Sequence, residues 1–138
     1  MNKVPDTHRD ILEANGTAFL ATTGPNGAPQ ITPTWYEWDS SSEQLLVSTL
    51  AGRQKYRNLQ QDPRLAVCIV APEDPYRYVE IRGSAKIEPD EDHRLANALA
   101  RKYMNLEALP QEMLGEGRVV IRVTPQKFVC YGAPTETG

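Results

Sequence analysis

The sequence predicts a mainly β, α+β fold: a small antiparallel barrel, closed or partly open, of about six strands with a few short helices. Three observations carry that expectation. Apolar residues come in short runs bounded by Gly, Pro and Asn clusters. Between residues 77 and 88 they alternate with polar residues at the period of a half-buried strand. Successive strand-like runs are joined as hairpins or by short helices, which argues against a doubly wound parallel sheet.

Taken in order, residues 6–15 predict a helix with Asp6 as its cap, an apolar face from Ile11, Leu12 and Ala14, and a stop at Asn15-Gly16. Thr17 to Thr23 reads as the first strand, and Gly24-Pro25-Asn26-Gly27 as a turn, because Pro presets φ and Asn-Gly tolerates positive φ. A hairpin partner runs from Ala28 to Trp38. It contains Pro29 and Pro33, which cannot donate to a ladder. Two readings follow for that stretch: an edge strand protected from aggregation, or a loosened strand that offers main-chain groups to a ligand. Asp39 to Glu43 is a polar turn, Gln44 to Thr49 the third strand, and Arg53 to Gln61 a helix stopped by Asp62-Pro63. Leu65 to Ala71 is nearly all apolar and predicts a strand buried on both faces. In 77–88, Val79, Ile81, Ala85 and Ile87 form the inner row, and Gly83 interrupts it where a barrel strand needs a bulge. Pro89 to Tyr103 is the clearest helix, with acids at its start and Arg101 and Lys102 at its end. Residues 104–117 read as irregular, and Arg118–Thr124 with Lys127–Tyr131 as a last strand interrupted at Pro125.

Composition bounds the function. A chain of 138 residues, 40% apolar, suits one domain over 1–138 with its own core. The longest apolar run, Leu65–Ala71, is far short of the roughly 18–20 residues that cross a bilayer. No apolar leader follows Met1, so the expectation is a soluble, cytoplasmic protein. A net charge of −3 gives no global footprint for nucleic acid. Cys68 and Cys130 lie in apolar strands, read as small buried hydrophobes rather than a disulfide or metal pair. His8 and His93 read as surface residues. No nucleophile elbow, zinc motif or P-loop occurs, so difficult chemistry here would come from a cofactor.

The most informative segment is Ser48-Thr49-Leu50-Ala51-Gly52-Arg53-Gln54-Lys55-Tyr56-Arg57-Asn58-Leu59. A strand ends in two hydroxyls, a glycine opens a turn, and a helix begins with cations. Cations oppose the positive end of a helix dipole, so a bound phosphate or carboxylate would offset them. A solvated basic helix face is the plainer alternative. Arg53 and Arg57 share one helical face while Lys55 points about 200° away, so all three meet one anion only if the first turn is irregular.

These residues carry a resemblance. Ala18-Phe19-Leu20-Ala21-Thr22, Gly24 to Gln30, Pro33-Thr34-Trp35-Tyr36, Ser48-Thr49, Arg53-x-Lys55-x-Arg57-Asn58-Leu59, Asp62-Pro63-Arg64 and Gly83-Ser84-Ala85 resemble the pyridoxamine 5′-phosphate oxidase-like split β-barrel superfamily. The sequence looks most like its deazaflavin (F420)-dependent oxidoreductase B branch. The resemblance implies an FMN-binding type of split barrel and a homodimer with cofactor sites at the subunit interface. It implies that Lys55 and Asn58 hold the cofactor phosphate, with Arg53, Ser48 and Thr49 nearby. Gln30, Thr32 and Pro33 would lie along the deazaflavin ring, with Trp35 bordering the pocket. No catalytic side chain and no metal are implied. Coenzyme F420 would pass a hydride to a small unsaturated acceptor; no nucleic acid or membrane partner is expected. The superfamily also holds FMN-dependent oxidases and reductases and non-enzymatic flavin or haem binders, and these stand as alternatives. Arg77 and Arg82, placed on the polar face of the fifth strand, are candidates for an anionic cofactor tail, with surface or dimer-interface salt bridges as the alternative reading.

Overall fold

The computed structural model describes residues 3–133. Its strands are β1 (Ala18–Thr23), β2 (Pro29–Thr34), β3 (Glu37–Asp39), β4 (Gln44–Leu50), β5 (Arg64–Ala71), β6 (Asp74–Pro89) and β7 (Arg118–Tyr131). The helices are α1 (Arg9–Glu13), α2 (Gln54–Gln61), α3 (Arg94–Met104) and the short α4 (Gln111–Leu114). All strand pairs are antiparallel, in the order β2-β1-β5-β6-β7-β4-β3.

The expected six strands are therefore seven, and the sheet is not closed by a ladder. The extra strand arises because the run from Ala28 to Trp38 breaks at Trp35-Tyr36. Its first half pairs with β1 and its second with β4, so the two halves form opposite edges of one curled sheet. Three peptide units span the gap from Thr34 to Glu37, at most about 11 Å. Helix α3 supplies the hydrogen bonds the ladder lacks there. The Tyr36 N–H donates to the Tyr103 hydroxyl at 3.3 Å, and Lys102 Nζ donates to the Tyr36 carbonyl at 2.7 Å. The Tyr36 ring lies under Lys102, 4.0 Å from Nζ, and its hydroxyl donates to the carbonyls of Ile11 and Ala14, fastening α1.

Alternation along the strands fills the interior with Leu20, Leu45, Val67, Ile69, Ile81 and Ile121, all essentially inaccessible. Each such side chain contributes about 1.5–3 kcal/mol on burial. The predicted bulge is present at Gly83, at a register shift in β6, and glycine is required there because a Cβ would lie 2.2 Å from the Thr124 carbonyl oxygen. Asn26 and Gly27 take positive φ in the turn between β1 and β2.

Several expectations are corrected. Helix α1 is capped by neither Asp6 nor Asn15-Gly16: it starts after His8 and ends at an extended Ala14. Strand β5 is buried on one face only, and Ala66, Cys68 and Val70 on its outer face stay half-exposed. Pro125 does not interrupt β7, because the β6 bulge lets Gly83 pair with it. Helix α3 begins at Arg94, after a turn in which Asp90 accepts hydrogen bonds from the Leu95 and Ala96 N–H groups. His8 is buried, its Nε2 3.0 Å from the Tyr131 carbonyl. Cys68 and Cys130 are free and half-buried, and burial pushes both thiols up.

Candidate functional site

Helix α2 packs against β1 through Leu59 and Asn58, which sets its N-terminal end above the ends of β4 and β7. Arg53 is the residue before the helix, with extended backbone (φ −76°, ψ 154°), so it lies outside the helical spiral. That irregularity matters. It brings Arg53 and Lys55, which a regular helix would point apart, to the same cleft. Ser48, Thr49 and Leu50 of β4 form another wall, and Arg118 at the start of β7 completes it. Register explains the last residue, since Arg118 pairs with Leu50.

The cleft is electrostatically one-sided. Among the described residues no Asp or Glu lines it. None of Arg53, Lys55 and Arg118 has a carboxylate within ion-pair distance among the described residues. Burial, reinforced by the charge of Arg53, holds the half-buried Lys55 ammonium below the ordinary lysine value. Burial likewise lowers the Arg118 guanidinium, with Arg53 adding to the effect and Asp90 opposing it. Holding three cations together costs free energy that an anion would recover, and a phosphate fits the donors present.

The other predicted residues separate into groups. Lys55 Nζ donates to Thr32 Oγ1 at 3.2 Å, tying β2 to the cleft. Gln30 and Asn58 face each other instead. Asn58 Nδ2 donates to Thr22 Oγ1 at 3.0 Å and to Gln30 Oε1 at 3.2 Å, while its Oδ1 accepts from Gln54 Nε2 at 2.6 Å. Asn58 is 3% exposed and fully engaged, so it positions α2 on the sheet rather than reaching the cleft. Pro33 is exposed on the opposite side of edge strand β2. Trp35 is half-buried and stacks on Tyr103 with ring centroids 5.0 Å apart. Arg57 leaves the cluster, its guanidinium held by the Gly52 carbonyl and Gln54.

The tail candidates do not survive the geometry. Arg77 lies in the inner row of β6, 3% exposed, with both terminal nitrogens on the Asp10 carboxylate at 2.7 and 2.8 Å. Arg82 is exposed and paired with Glu80. Arg118 is the residue that sequence reasoning missed. It stands far from the basic segment along the chain, and only the β4–β7 register brings it there.

Comparison with known proteins places this geometry. The sequence profile of the pyridoxamine 5′-phosphate oxidase family matches residues 4–129. Among solved structures, an F420 reductase is 35% identical over 91% of this chain and 98% of its own, with a TM-score of 0.81. A conserved hypothetical protein from Mycobacterium tuberculosis is 24% identical over 95% of this chain and 89% of its own (TM-score 0.75). The general stress protein 26 from Bacillus anthracis is 20% identical over 93% of each chain (TM-score 0.72). The last two share the fold alone. With an open antiparallel split barrel and a profile match over most of its length, the chain belongs to the pyridoxamine 5′-phosphate oxidase-like split-barrel superfamily.

Proposed function

We propose that this protein is an F420-dependent oxidoreductase that reduces a small unsaturated organic acceptor. The observation that carries the reading is the carboxylate-free cleft of Arg53, Lys55 and Arg118, which suits a cofactor phosphate. The 35% identity to an F420 reductase supports the deazaflavin over other phosphate-bearing cofactors. When bound, the deazaflavin supplies a hydride to one atom of an unsaturated bond, and a proton completes the other.

The chain's own residues bind and orient. Lys55 and Arg53 hold the phosphate, with Ser48, Thr49 and Arg118 around it. Thr32, fixed by Lys55, and Gln30, fixed by Asn58, lie along the strand beside which the ring is placed. Strand β2 pairs on one side only, which leaves main-chain groups free on its other edge between Pro29 and Pro33. Orientation of two reactants is sufficient chemistry for the protein to supply. A homodimer belongs to the same reading. The outer face of β2, β1 and β5 exposes Ile31 and Phe19 beside half-exposed Ala66, Cys68 and Val70, an apolar surface that a second copy would cover.

The test is a parallel titration with F420 and with FMN, followed by quenching of Trp35 and Trp38 fluorescence. Tighter binding of F420 is expected. Preference for FMN would favour the second reading, an FMN-dependent oxidase or reductase, which the family match supports. Fluorescence left unchanged by micromolar concentrations of both cofactors would remove the functional claim.

A further inference from the structure

A second pocket adjoins the anion cleft and shares Ser48 and Arg118 with it. Its walls are mostly apolar, Trp35, Ala96, Leu99, Leu109 and Met113, with Thr34 beside Trp35. Its volume is close to 140 Å³. An apolar protein cavity of about 150 Å³ holds one benzene molecule, so this space, open at one side, seats a single six-membered ring, and a second fused ring would have to project through the mouth. Met113 stands at the mouth, 43% exposed, on the short helix α4.

Arg118 gives the pocket a polar end. Its Nε donates to the Leu114 carbonyl at 2.8 Å, Nη2 to the Met113 carbonyl at 2.7 Å, and Nη1 to Ser48 Oγ at 3.2 Å. A guanidinium has five N–H donors, so two have no acceptor among the described residues. The three bonds fix the plane of the group between pocket and cleft. It carries no carboxylate partner there, although burial disfavours its charge.

We infer that this pocket receives the acceptor, and that the acceptor is a monocyclic planar molecule bearing a carboxylate or similar anionic group that Arg118 recognises. The inference rests on the proposed reductase reading for the word acceptor; the binding of an anionic ring stands or falls separately. Size selects one ring, the apolar walls select planarity and hydrophobicity, and Arg118 selects negative charge.

Benzoate is the probe, read through the ε-methyl NMR signal of Met113 in protein carrying carbon-13-labelled methionine. The expected result is a saturable upfield shift from the ring current, binding at least tenfold weaker for neutral benzamide, and weaker binding of 2-naphthoate, which has two fused rings. Arg118→Gln should bring benzoate and benzamide to within about twofold, since the charge-assisted contact is what separates them. Ala96→Met should fill the pocket and abolish the benzoate shift. Equal binding of benzamide and benzoate, equal binding of 2-naphthoate, or no saturable shift would each overturn the inference. So would a benzoate affinity unchanged in folded Ala96→Met protein, which would place the carboxylate in the anion cleft alone. The ligand-size comparison needs no variant, so a misfolded Ala96→Met does not rescue the claim. An F420 and FMN titration of the same sample separates the two ideas: no cofactor binding with an intact benzoate response fails the reductase reading, and cofactor binding without that response fails the pocket.

Discussion

Two groups of cations occupy this small barrel, and they are treated in opposite ways. Arg77 is satisfied on all sides. Besides Asp10, its nitrogens reach the carbonyls of Thr7 and Ala133, and Glu73 stands 3.7 Å away. It ties the N-terminal segment to the end of β7. Arg53, Lys55 and Arg118 share a cleft with hydroxyls and one another, and among the described residues no carboxylate lines it. The difference teaches that a cation's neighbours, more than its burial, separate a structural joint from a ligand site. Where the protein needs only stability it supplies the counter-charge itself. Where it leaves the counter-charge out, a ligand can provide it.

The comparison is broken most forcefully at Arg77. Arg77→Met should cost about 2–3 kcal/mol, read from chemical denaturation, because several carbonyls and the Asp10 carboxylate lose their donor together. A cost below about 0.5 kcal/mol would mean the network is ornamental. Lys55→Met should show the reverse pattern. Cofactor affinity should drop by about 1–3 kcal/mol, the range for a charge-assisted hydrogen bond, while stability moves by less than about 0.5 kcal/mol. Loss of stability without loss of affinity would merge the two regions into one class.

Proton titration sharpens the contrast with smaller effects. Lys55 deprotonates below the ordinary lysine value in the free protein. Phosphate affinity should therefore fall as pH climbs through that depressed value, by less than the loss in Lys55→Met because a neutral amine still donates. Isothermal titration of inorganic phosphate across alkaline pH reads this directly, and Lys55→Arg should flatten the profile. The stability consequence has a definite sign. Between the depressed and the ordinary lysine values the unfolded chain binds more protons, so this group's contribution to stability rises with pH there. Asp10 gives the same sign at acid pH: the hydrogen bond from Arg77 lowers its carboxyl, so its contribution also rises with pH across its own window. The stability it contributes is present above the ordinary carboxylate value and is lost as pH falls through the lowered one. The smallest effect is expected at Arg82, whose pairing with Glu80 is exposed. Arg82→Ala should leave the denaturation midpoint essentially unchanged.

Much of this was legible along the chain because it depends on neighbours in sequence. Alternation of Val79 and Ile81 with Tyr78 and Glu80 marks a half-buried strand without any partner being known. Gly83 marks the bulge, and Asn26-Gly27 the positive-φ turn. The basic start of α2 was legible too, together with the hydroxyls of Ser48 and Thr49 that meet it. Arg77 shows where such reading slips. It shares the parity of Val79 and Ile81, and therefore the inner row, yet its charge suggested the outer face.

What the sequence by itself determined is the local alphabet: short alternating strands, three main helical stretches, turn positions, and a cluster of cations at a helix start. Only the tertiary structure decided that one strand would split at Trp35-Tyr36 into both edges of the sheet, because that break is held by Lys102 and Tyr103 of a helix far along the chain. It alone decided that Arg118 would join Arg53 and Lys55, through the pairing of β4 with β7. It also turned Asn58 from a cleft residue into the buried joint between α2, β1 and β2. The physical reason is common to all three. Propensity and pattern act over a few residues, whereas register, counter-charge and hydrogen-bond partners are settled between segments that meet only when the chain has folded.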